Sequence, residues 1–573
     1  MQRDPGRLAL DAYDVVVVGG GIYGACAVWE AASRGLRAAL IEAADFGGAT
    51  SSNSLRTLHG GLRHLQRLDL RRLRESVRAR RGWLQLAPHL ARPMRFVLPT
   101  VGHGLKGPEA MRAALFVNDL LSFDRNRGVA ADRSLPPSRL WSGKLARAIL
   151  TGTRITGCNG AATWSDAVCT NTERLLLAVV SAAVSLGARV SNYVRATGLG
   201  VQNGVVSTVQ ARDELTGDEF EIRTRAVIDA AGACVGEWMS GGGAGSVLPR
   251  ARPLFLASKA FNLLVRPLPF KEGMGLCVPQ YSRGESNPRT YFILPWNGRA
   301  LVGTRHLRCD QAGRSAQVTR QDVVDFLEDL NRVLGRNRIR GSDVLGVYSG
   351  LLPEKRGGSP DDVDLERAPQ IIDHADFGAA GVFSVIGVKW TTSRVVAERA
   401  VRTACHYLGK AAGRFASNAA LWADRGAVDR VKPRQWLLDA DSVAHVEEMY
   451  GPGRDAVFAL LDQDSTLAAR VVPDLPVINA QIVQAVREEM AVQLADIVMR
   501  RTPLYLSETL DAPTLSACAA VAARELHWDR RETAHQIERV AALVHAFRGP
   551  LFSPSLDRDA GVTEMKQTSA ERT

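Results

Sequence analysis

The sequence predicts an α/β protein with an all-α region at its C-terminal end, and three observations support this prediction. Near the N-terminus a short apolar run, a glycine-rich turn, a helix-like stretch and a second apolar run follow one another, which is the pattern of a βαβ unit. Between residues 250 and 350 the apolar runs are short and strand-like. Beyond residue 430 the apolar residues recur with the period of a helix, and strand patterns are few.

Size and composition agree with a large globular protein. The chain has 573 residues, enough for three to four domains of roughly 150 residues each. Hydrophobic residues make up 46% and charged residues 23% of the chain, which excludes a disordered or fibrous protein for most of its length. The sequence has no uncharged apolar run of the roughly 18 residues that a membrane-spanning helix needs. The apolar stretch before Asp11 is too short for a signal peptide, so we expect a cytoplasmic protein.

The charge balance is basic and rests on arginine. Against 60 Asp and Glu residues stand 72 Lys and Arg residues, a formal net charge of +12, and only 9 of these cations are Lys. An arginine-rich surface attracts nucleic acid, anionic lipid or a phosphorylated metabolite, although a biased genomic base composition produces the same excess. The eight cysteines are scattered and form no CxxC pair, so the sequence predicts neither a disulfide framework nor a metal site.

The first βαβ unit has the spacing of a dinucleotide-binding site. A predicted strand over residues 13–18 runs into Gly19-x-Gly21-x-x-Gly24, which opens a predicted helix over 22–34. In this motif the first glycine allows the tight turn, the second lets the backbone approach a pyrophosphate, and the third lets the helix pack on the strand. The N-terminal end of the helix then presents N–H groups to the phosphates.

The residues after this unit indicate which dinucleotide is bound. The second strand, over 36–41, ends at Glu42, where a carboxylate can accept hydrogen bonds from a ribose diol and favours FAD or NAD over NADP. Residues 50–61 read TSSNSLRTLHGG, and this hydroxyl- and glycine-rich loop suits wrapping around a pyrophosphate and the edge of an isoalloxazine ring. The loop therefore favours FAD, with an ordinary serine-rich turn as the alternative.

Segments along almost the whole chain resemble the FAD-dependent glycerol-3-phosphate dehydrogenases. They are GGGIYGACAVWEAASRGLRAALIEAADFGGATSSNS, LHGGLRHLQ, APHLARPMRFVLP, WSDAVCTNTERL, VIDAAGACV, YFILPW with LVGT, YSGLLP, VIGVKWTTSRVVAE and REEMAVQLADIVMRRTPL. They occur in the family's order and extend from about residue 12 to about residue 545. The resemblance is specific for the family and less specific for its substrate.

The resemblance implies a Rossmann-like FAD-binding domain, a β-sheet substrate-cap domain and an appended all-α C-terminal domain. The FAD-binding domain is expected to be discontinuous, and the cap domain is inserted between its segments. The implied boundaries are 12–100, 160–240 and 355–410 for the FAD-binding domain, 101–159 and 245–354 for the cap, and 425–548 for the helical domain. The polar tail over 551–573 is expected to be disordered.

The implied reaction is the oxidation of a secondary alcohol of a polyol phosphate, with sn-glycerol 3-phosphate giving dihydroxyacetone phosphate. In the family a hydride passes to flavin N5 and the electrons continue to a quinone. The resemblance also implies a peripheral contact with the inner face of the plasma membrane and suggests a homodimer. Such chemistry needs cations that hold the phosphate, a base that takes the hydroxyl proton and groups that stabilise the reduced flavin.

Two substrate-side cations of the family carry over to this sequence. Arg63 lies in HGGLRHLQ, and Lys389 lies in GVKWTTSR, close to the expected positions of flavin and phosphate. The expected cofactor contacts are Gly19, Gly21, Gly24, Glu42, Thr50, Ser51, Ser52, His59, Gly60, Gly61, Ala231, Gly232, Gly387, Lys389, Trp390 and Thr391.

Three motifs of the substrate pocket depart from the family's pattern. The family's Gly-Ser-His is Ala257-Ser258-Lys259, its Gly-Thr-Thr-Asp is Gly303-Thr304-Arg305-His306, and its Ser-Gly-Val-Arg-Pro is Ser349-Gly350-Leu351-Leu352-Pro353. We expect Lys259, Arg305 and His306 to complete the catalytic pocket, with His306 able to act as a base near neutral pH. Leu352 stands where a phosphate-binding arginine is expected.

The departures leave other functions open. The same flavin chemistry could act on a different hydroxy compound or on an amine, as in amine oxidases, or the chain could bind flavin without catalysis. The eight arginines between residues 63 and 81 have no stacking aromatics among them, so we expect no nucleic-acid binding. They belong either to a solvated helix face or to a surface that faces a membrane or attracts the substrate.

Overall fold

The computed structural model describes most of the chain. The described residues are 1–104, 107–150, 157–240, 254–268, 273–279, 290–309, 316–335, 338–355, 363–411, 421 and 438–548. The tail expected to be disordered, 551–573, lies outside them.

A six-stranded sheet forms the nucleotide-binding part of the fold. Its strands are β2 (Val15–Val18), β3 (Ala38–Ile41), β8 (Arg189–Ser191), β12 (Val227–Asp229), β18 (Gln370–Asp373) and β19 (Val382–Ile386). The order is β18-β19-β12-β2-β3-β8, and every pair is parallel except β18 with β19. Strands β2, β3 and β12 are buried along their whole length, which explains their continuous apolar runs.

Three helices cover this sheet and share its largest core. They are α2 (Ile22–Ser33), α6 (Thr172–Ser185) and α8 (Ser393–Tyr407), and α2 packs against both of the others. Trp29 of α2 and Trp83 are fully enclosed in this core. A smaller sheet of β1 (Ala12–Tyr13), β9 (Val194–Gln202), β10 (Val205–Asp213) and β11 (Glu219–Thr224) lies beside it, with α1 (Pro5–Leu10) against β11.

A nine-stranded sheet, called here the cap sheet, forms the second large layer. Its strands are β4 (Thr57–Leu58), β5 (Ala91–Val101), β6 (Arg139–Ser142), β7 (Cys158–Cys169), β13 (Leu256–Val265), β14 (Met274–Pro279), β15 (Thr290–Trp296), β16 (Arg299–Arg308) and β17 (Val344–Glu354). The order is β17-β13-β16-β15-β14-β5-β7-β4, and β6 pairs with β7. Four helices lie between these strands in the order of the chain: α3 (Leu70–Leu86), α4 (Pro108–Leu121), α5 (Gly143–Ile149) and α7 (Arg320–Leu334).

Helices are the main elements of the described part of the C-terminal region. Its helices are α9 (Ala440–Tyr450), α10 (Arg454–Gln463), α11 (Asn479–Glu489), α12 (Leu494–Asp496), α13 (Ala512–Leu526) and α14 (Arg530–Arg548). The expected fold class, an α/β protein with a Rossmann-like sheet, a β-sheet cap and an appended all-α region, is thereby confirmed. Among the described residues, no helix combines the length and apolar character needed to cross a membrane.

Buried ion pairs tie the helical region to the nucleotide-binding part. The Arg501 guanidinium donates to the Asp45 carboxylate at 2.8 Å, and both side chains are fully buried. Arg174 of α6 makes a similar contact with Glu489 of α11, at 2.6 Å. Because a buried charge is stable only beside its partner, these pairs fix where the helical region docks.

Two predicted elements are interrupted in the structure. The run over 13–18 breaks at Asp14, whose carboxylate accepts a hydrogen bond from the backbone of Arg37 at 2.9 Å and separates β1 from β2. The arginine-rich stretch over 63–81, for which the sequence suggests a helix face, is a 3-10 turn, Leu62–Arg67, followed by α3, because Leu68 adopts a left-handed conformation with φ 54°. This second break directs residues 62–67 away from the axis of α3.

Candidate functional site

The glycines after β2 are required by close backbone approaches. Gly19 has φ 102°, and a Cβ built on it would lie 2.6 Å from the Ala230 carbonyl oxygen at the end of β12. A Cβ on Gly24 would lie 1.8 Å from the Gly19 carbonyl oxygen, so only glycine lets α2 start so close to the strand. Gly21 caps the N-terminus of α2 in an extended conformation. The turn therefore has the geometry that a pyrophosphate needs.

Glu42 lies at the end of β3, beside this turn. Its carboxylate accepts hydrogen bonds from the backbone of Gly20 at 2.6 Å and of Ala44 at 2.9 Å, and burial raises the pKa of the carboxyl group. The Ser51 hydroxyl accepts from the first amide of α2, that of Ile22, at 3.0 Å. The loop that contains Ser51 is thus attached directly to the start of the helix.

The same loop also contacts the cap sheet. Thr50 exchanges two hydrogen bonds with the backbone of Leu351 on the edge strand β17, at 3.1 and 3.2 Å. The Asn53 carbonyl accepts from the Asn262 side chain on β13 at 3.1 Å, whereas the Ser52 hydroxyl donates back to Gly47. Residues 50–53 therefore lie between the nucleotide-binding sheet and the cap sheet.

A buried carboxylate fixes the His59-Gly60 turn. Asp166 of β7 accepts the Gly60 amide at 2.6 Å, pairs with the buried Arg80 guanidinium, and lies 3.4 Å from Nδ1 of His59. Although burial acts to raise the pKa of Asp166, Arg80 and His59 lower it to about 2. A Cβ on Gly60 would lie 2.1 Å from Arg80, so this turn requires glycine; Gly61 next to it has φ 87°.

Residues 387–391 approach the His59 turn from the end of β19. The Thr391 hydroxyl accepts the His59 amide at 3.1 Å, and the ring of Trp390 packs 5.1 Å from that of Trp83. The Tyr23 hydroxyl binds this segment, donating to the Lys389 carbonyl at 2.7 Å and accepting the Lys389 amide at 3.0 Å.

Tyr23 was not singled out in the sequence. A Cβ on Gly387 would lie 2.2 Å from its ring, so the glycine makes room for the tyrosine. Its place as the residue before Gly24, within the glycine motif, was the available indication. Asp166 and Arg80 were missed as well, although Asp166 lies in the segment WSDAV that carries part of the resemblance.

Lys389 and His64 line a cavity of about 260 Å³. The Lys389 ammonium lies 2.7 Å from Nε2 of His64, which belongs to the 3-10 turn Leu62–Arg67. The other charged side chains of the lining are Asp69, Arg71, Arg72, Glu75, Arg367 and Arg399. Lys389 and the four arginines make five cations against two carboxylates, so the cavity carries excess positive charge.

Electrostatics in the cavity shift both titratable groups toward their neutral forms. Burial and the nearby Arg63 and Arg72 lower the pKa of Lys389 to about 8. Burial and the Lys389 ammonium lower the pKa of His64 to about 4. At neutral pH the lysine is therefore charged and the imidazole neutral, so Lys389 donates and Nε2 of His64 accepts. Arg63 itself is exposed, in the same turn as His64.

The structure does not bring Lys259 and Arg305 to this cavity. Lys259 on β13 donates to Asp322 at 2.6 Å, and Arg305 on β16 pairs with Asp329; both acids belong to α7. The two strands pair at Phe261 opposite Arg305, and Phe261 packs on Phe326 of α7. Because side chains alternate along a strand, both cations lie on the α7 side of the cap sheet.

The opposite face of these strands carries the neighbours of residues 50–53. Gly350, Ala260 and His306 form one cross-strand row, and a Cβ on Gly350 would lie 2.9 Å from Thr50. Leu352 lies two residues further along β17, in a row with Ser258 and Arg308.

Arg308 is a cation in this face that the sequence did not point to. It donates to the Glu354 carboxylate at 2.6 Å, and the Glu354 side chain is fully buried. Arg308 and Leu352 lie on strands separated by β13, or roughly 10 Å apart across the sheet. Arg308, the charged side chain in the same cross-strand row as Leu352, is therefore already paired with an acid.

Ala231 and Gly232 complete the turn that faces Gly19. The Ala231 amide donates to the buried Asp229 at 3.2 Å, and Gly232 has φ 61° with nothing within 4 Å of a Cβ built on it. Open space therefore borders the backbone here, next to the glycine turn and Glu42. A turn of required glycines, a carboxylate at the end of β3 and a helix N-terminus fit FAD.

Comparisons with known proteins agree with this geometry. Residues 14–402 match the family described as FAD dependent oxidoreductase, and residues 406–533 match that described as C-terminal domain of alpha-glycerophosphate oxidase. A glycerol-3-phosphate dehydrogenase of Synechocystis sp. is 31% identical over 517 residues, which are 86% of this chain and 89% of the relative. Glycerol-3-phosphate dehydrogenase 2 of Mycobacterium tuberculosis is 28% identical over 555 residues, 94% of this chain and 90% of the relative.

A solved structure shares the fold. The glycerol-3-phosphate dehydrogenase from Bacillus halodurans complexed with FAD superposes with a TM-score of 0.72 at 21% identity, over 96% of this chain and 97% of that one. The expected cofactor, FAD, and the expected enzyme class are confirmed by the family match. The chain is an FAD-dependent oxidoreductase and belongs to the family of the FAD-dependent glycerol-3-phosphate dehydrogenases.

Proposed function

We propose that this enzyme oxidises the secondary alcohol of a polyol phosphate, with sn-glycerol 3-phosphate as the first candidate and dihydroxyacetone phosphate as its product. The observation that carries the proposal is the cationic cavity at Lys389, next to the segment that joins β19 to the His59 turn. An excess of positive charge suits a phosphate. The relatives named glycerol-3-phosphate dehydrogenase support the same substrate.

Three parts of the chain are proposed to hold FAD. Gly19, Gly21 and Gly24 lie at the pyrophosphate and Glu42 at the ribose, with Ala231 and Gly232 opposite. The flavin ring is enclosed by a larger set: Thr50, Ser51, Ser52, His59, Gly60, Gly61, Gly387, Lys389, Trp390 and Thr391. When bound, FAD supplies the acceptor for the hydride from the carbinol carbon. The protein has to hold the anion and remove the hydroxyl proton.

His59 is the proton acceptor that the geometry favours. Asp166 lies 3.4 Å from its Nδ1 and is itself held by Arg80, an arrangement that orients an imidazole and leaves Nε2 for the substrate. His306 was the candidate from the sequence, and it lies in the row of Ala260 and Gly350 on the cap sheet. We expect His59→Gln to slow flavin reduction by about 10²–10⁴-fold, and His306→Gln to have a smaller effect.

Arg63 and Lys389 are proposed as the anion-binding cations. Lys389 lines the cavity, and Arg63 is close enough to lower its pKa. Lys259 and Arg305, which were expected to complete the pocket, are held by acids of α7 and leave this role to other groups.

A second candidate function follows from Leu352. Leu352 is an apolar side chain on the cap-sheet face near Thr50. Such a side chain is a better neighbour for an apolar part of a substrate than for a second phosphate oxygen. The same flavin chemistry would then act on a different hydroxy compound or an amine. A panel of polyol phosphates, other hydroxy acids and amines separates the two candidates.

The decisive experiment is anaerobic reduction of the bound flavin, followed by its visible absorbance. Glycerol 3-phosphate should bleach the flavin within one turnover, whereas Gly21→Val should give a colourless protein, since a side chain there obstructs the pyrophosphate turn. Reduction by an amine or a hydroxy acid, with none by any polyol phosphate, would contradict the proposal. Dithionite reduction serves as the control that the flavin is intact.

The acceptor of the electrons is proposed to be a quinone, reached from a membrane surface. The exposed side chains of Leu68, Phe116, Leu120 and Phe123 are each more than 60% accessible, and α4 contacts the turn that ends at Leu68. Exposed arginines 67, 71 and 112 lie within four residues of Leu68 or Phe116 in the sequence. An apolar patch with a basic rim fits the surface of an anionic bilayer.

Sedimentation with anionic liposomes tests this contact. We expect the protein to bind phosphatidylserine vesicles at low salt and to be released at high salt, because salt screens the arginines. Phe116→Ser with Leu120→Ser should weaken binding at any salt concentration, and flavin reduction should be unchanged. Equal binding of this double variant would exclude α4 as the contact.

A further inference from the structure

We propose that His64 belongs to the anion-binding site and binds the substrate's anion as an imidazolium ion, supplying the positive charge that position 352 lacks. The inference rests on the proposed function, in which an anion occupies the cavity at Lys389. The geometric basis is the 2.7 Å contact between the Lys389 ammonium and Nε2 of His64, both on the cavity lining. An anion bound to Lys389 there comes within reach of Nε2.

Without an anion, the neighbours of His64 keep its imidazole neutral. Burial and the charges of Lys389, Arg72 and Arg63 oppose protonation, and Asp69 favours it only in part. The remaining charged groups that face the cavity are Arg71, Glu75, Arg367 and Arg399. Carboxylates neutralise two cations of the cavity: Arg399 pairs with Glu75 at 2.6 Å, and Arg72 pairs with Asp69 at 3.2 Å.

An anion reverses this balance. A single negative charge about 4 Å from an imidazole raises its pKa by on the order of three units at an effective dielectric constant near 20. The pKa of His64, about 4 in the free protein, would then reach the neutral range. Nε2 then no longer accepts the hydrogen bond from Lys389 and becomes, beside Lys389, a second donor to the anion. One proton is taken up from solvent in this change.

This behaviour explains how the site manages with Leu352. The charge comes from His64 in the turn Leu62–Arg67, and only when an anion is present. A permanent cation beside Lys389 would repel it in the empty site, whereas a neutral imidazole accepts its hydrogen bond. The site should therefore prefer dianions, which provide the larger charge, over monoanions and uncharged polyols.

Calorimetry with inorganic sulfate tests the proposal without any turnover. Sulfate stays a dianion between pH 5 and 9 and takes up no proton itself, so uptake can be assigned to the protein. Titrations of the oxidised holoenzyme at pH 7, in buffers of different ionisation enthalpy, give the number of protons bound per sulfate. We expect about 0.5–1 for the wild type, because a pKa of 7 gives half occupancy at pH 7 and the second charge of the dianion raises the pKa further.

Variants assign the proton to His64. His64→Gln should take up no more than about 0.1 proton, the fraction of Lys389 that is neutral at pH 7 with a pKa of about 8, and should bind sulfate about 10- to 100-fold more weakly. Leu352→Arg in that background should restore affinity but not proton uptake. His103→Gln, at an exposed turn, is the matched control and should behave as wild type. Retained uptake in His64→Gln, no uptake in the wild type, or no sulfate binding would each overturn the proposal.

The outcome is separable from that of the proposed function. If sulfate binds with proton uptake through His64 but glycerol 3-phosphate does not reduce the flavin, the anion site stands and the substrate assignment fails. If glycerol 3-phosphate reduces the flavin rapidly and proton uptake is absent, only the role of His64 is wrong.

Discussion

Two groups of cationic side chains in this enzyme have different neighbours. Lys259 and Arg305, on the α7 side of the cap sheet, each contact a carboxylate of α7. Lys389 instead hydrogen-bonds to a neutral imidazole in a cavity where cations outnumber carboxylates. A cation already paired with an acid has little to offer an anionic substrate, whereas Lys389 retains its charge for one. Position in a motif is therefore a weaker guide to function than the partner of each side chain.

Among the cationic side chains of this comparison, the largest expected effect is at Lys389. Lys389→Met should lower kcat/KM for glycerol 3-phosphate about two hundredfold, since losing a charge-assisted bond to a buried phosphate costs about 3 kcal/mol. Lys389→Arg should recover most of this loss, with kcat/KM expressed per bound FAD because Lys389 also belongs to the set proposed to enclose the flavin. Steady-state kinetics with flavin absorbance as the loading control measure the effect. A Lys389→Met enzyme with wild-type kcat/KM would remove the basis of the comparison.

The next effect concerns Leu352, which lies on the face of the cap sheet opposite to Lys259 and Arg305. If glycerol 3-phosphate is the substrate, Leu352→Arg should raise kcat/KM by up to roughly a hundredfold, the scale of one charge-assisted pair at about 1.4 kcal/mol per decade. If the natural substrate has an apolar part, the same change should harm its oxidation. Leu352→Met, which conserves volume, should stay within about threefold of wild type. Fast wild-type reduction by glycerol 3-phosphate, unaffected by Leu352→Arg, would show that position 352 does not face the anion.

The pH dependence of kcat/KM sharpens the comparison further. Lys389 binds an anion only when protonated, and its pKa is lowered to about 8, so charge is present below pH 8 and lost above it. Activity toward glycerol 3-phosphate should therefore fall above pH 8, by about tenfold at pH 9. Lys389→Arg should abolish this decline, since a guanidinium stays charged. A profile that stays flat to pH 9.5 in the wild type would contradict the assignment of Lys389.

The sequence was sufficient for the fold and for the cofactor, and physical reasons explain why. Local spacing alone defines the glycine turn at Gly19–Gly24 and Glu42, because a strand, a turn and a helix follow one another within 30 residues. The all-α region was equally readable from its apolar period. Neither inference depends on which distant residues meet.

The substrate cavity could not be read in the same way. His64 and Lys389 are 325 positions apart, and the Leu68 break that brings the turn Leu62–Arg67 to the cavity has no glycine or proline to mark it. The faces of β13 and β16 depended on a shift in register between Phe261 and Leu263, which a sequence pattern does not reveal. Lys259 and Arg305 were expected in the pocket because of their positions in the family's motifs.

The smallest expected effect tests that point directly. Lys259→Met and Arg305→Met should each change kcat/KM by less than about threefold, because neither cation lies at the cavity. Their cost should appear in stability instead. Lys259→Met removes the cation beside the partly buried Asp322, which lowers the free energy of unfolding by about 1–2 kcal/mol, whereas Arg305→Met should cost less because Asp329 keeps its contact with Arg332 at 3.1 Å. Asp322→Asn combined with Lys259→Met should recover part of this loss, since the unpaired charge is then absent. Urea unfolding and steady-state kinetics on the same preparations separate the two quantities. A tenfold loss of kcat/KM with unchanged stability would place these cations at the substrate, and the alternation of side chains along β13 and β16 would then have to differ from the one described.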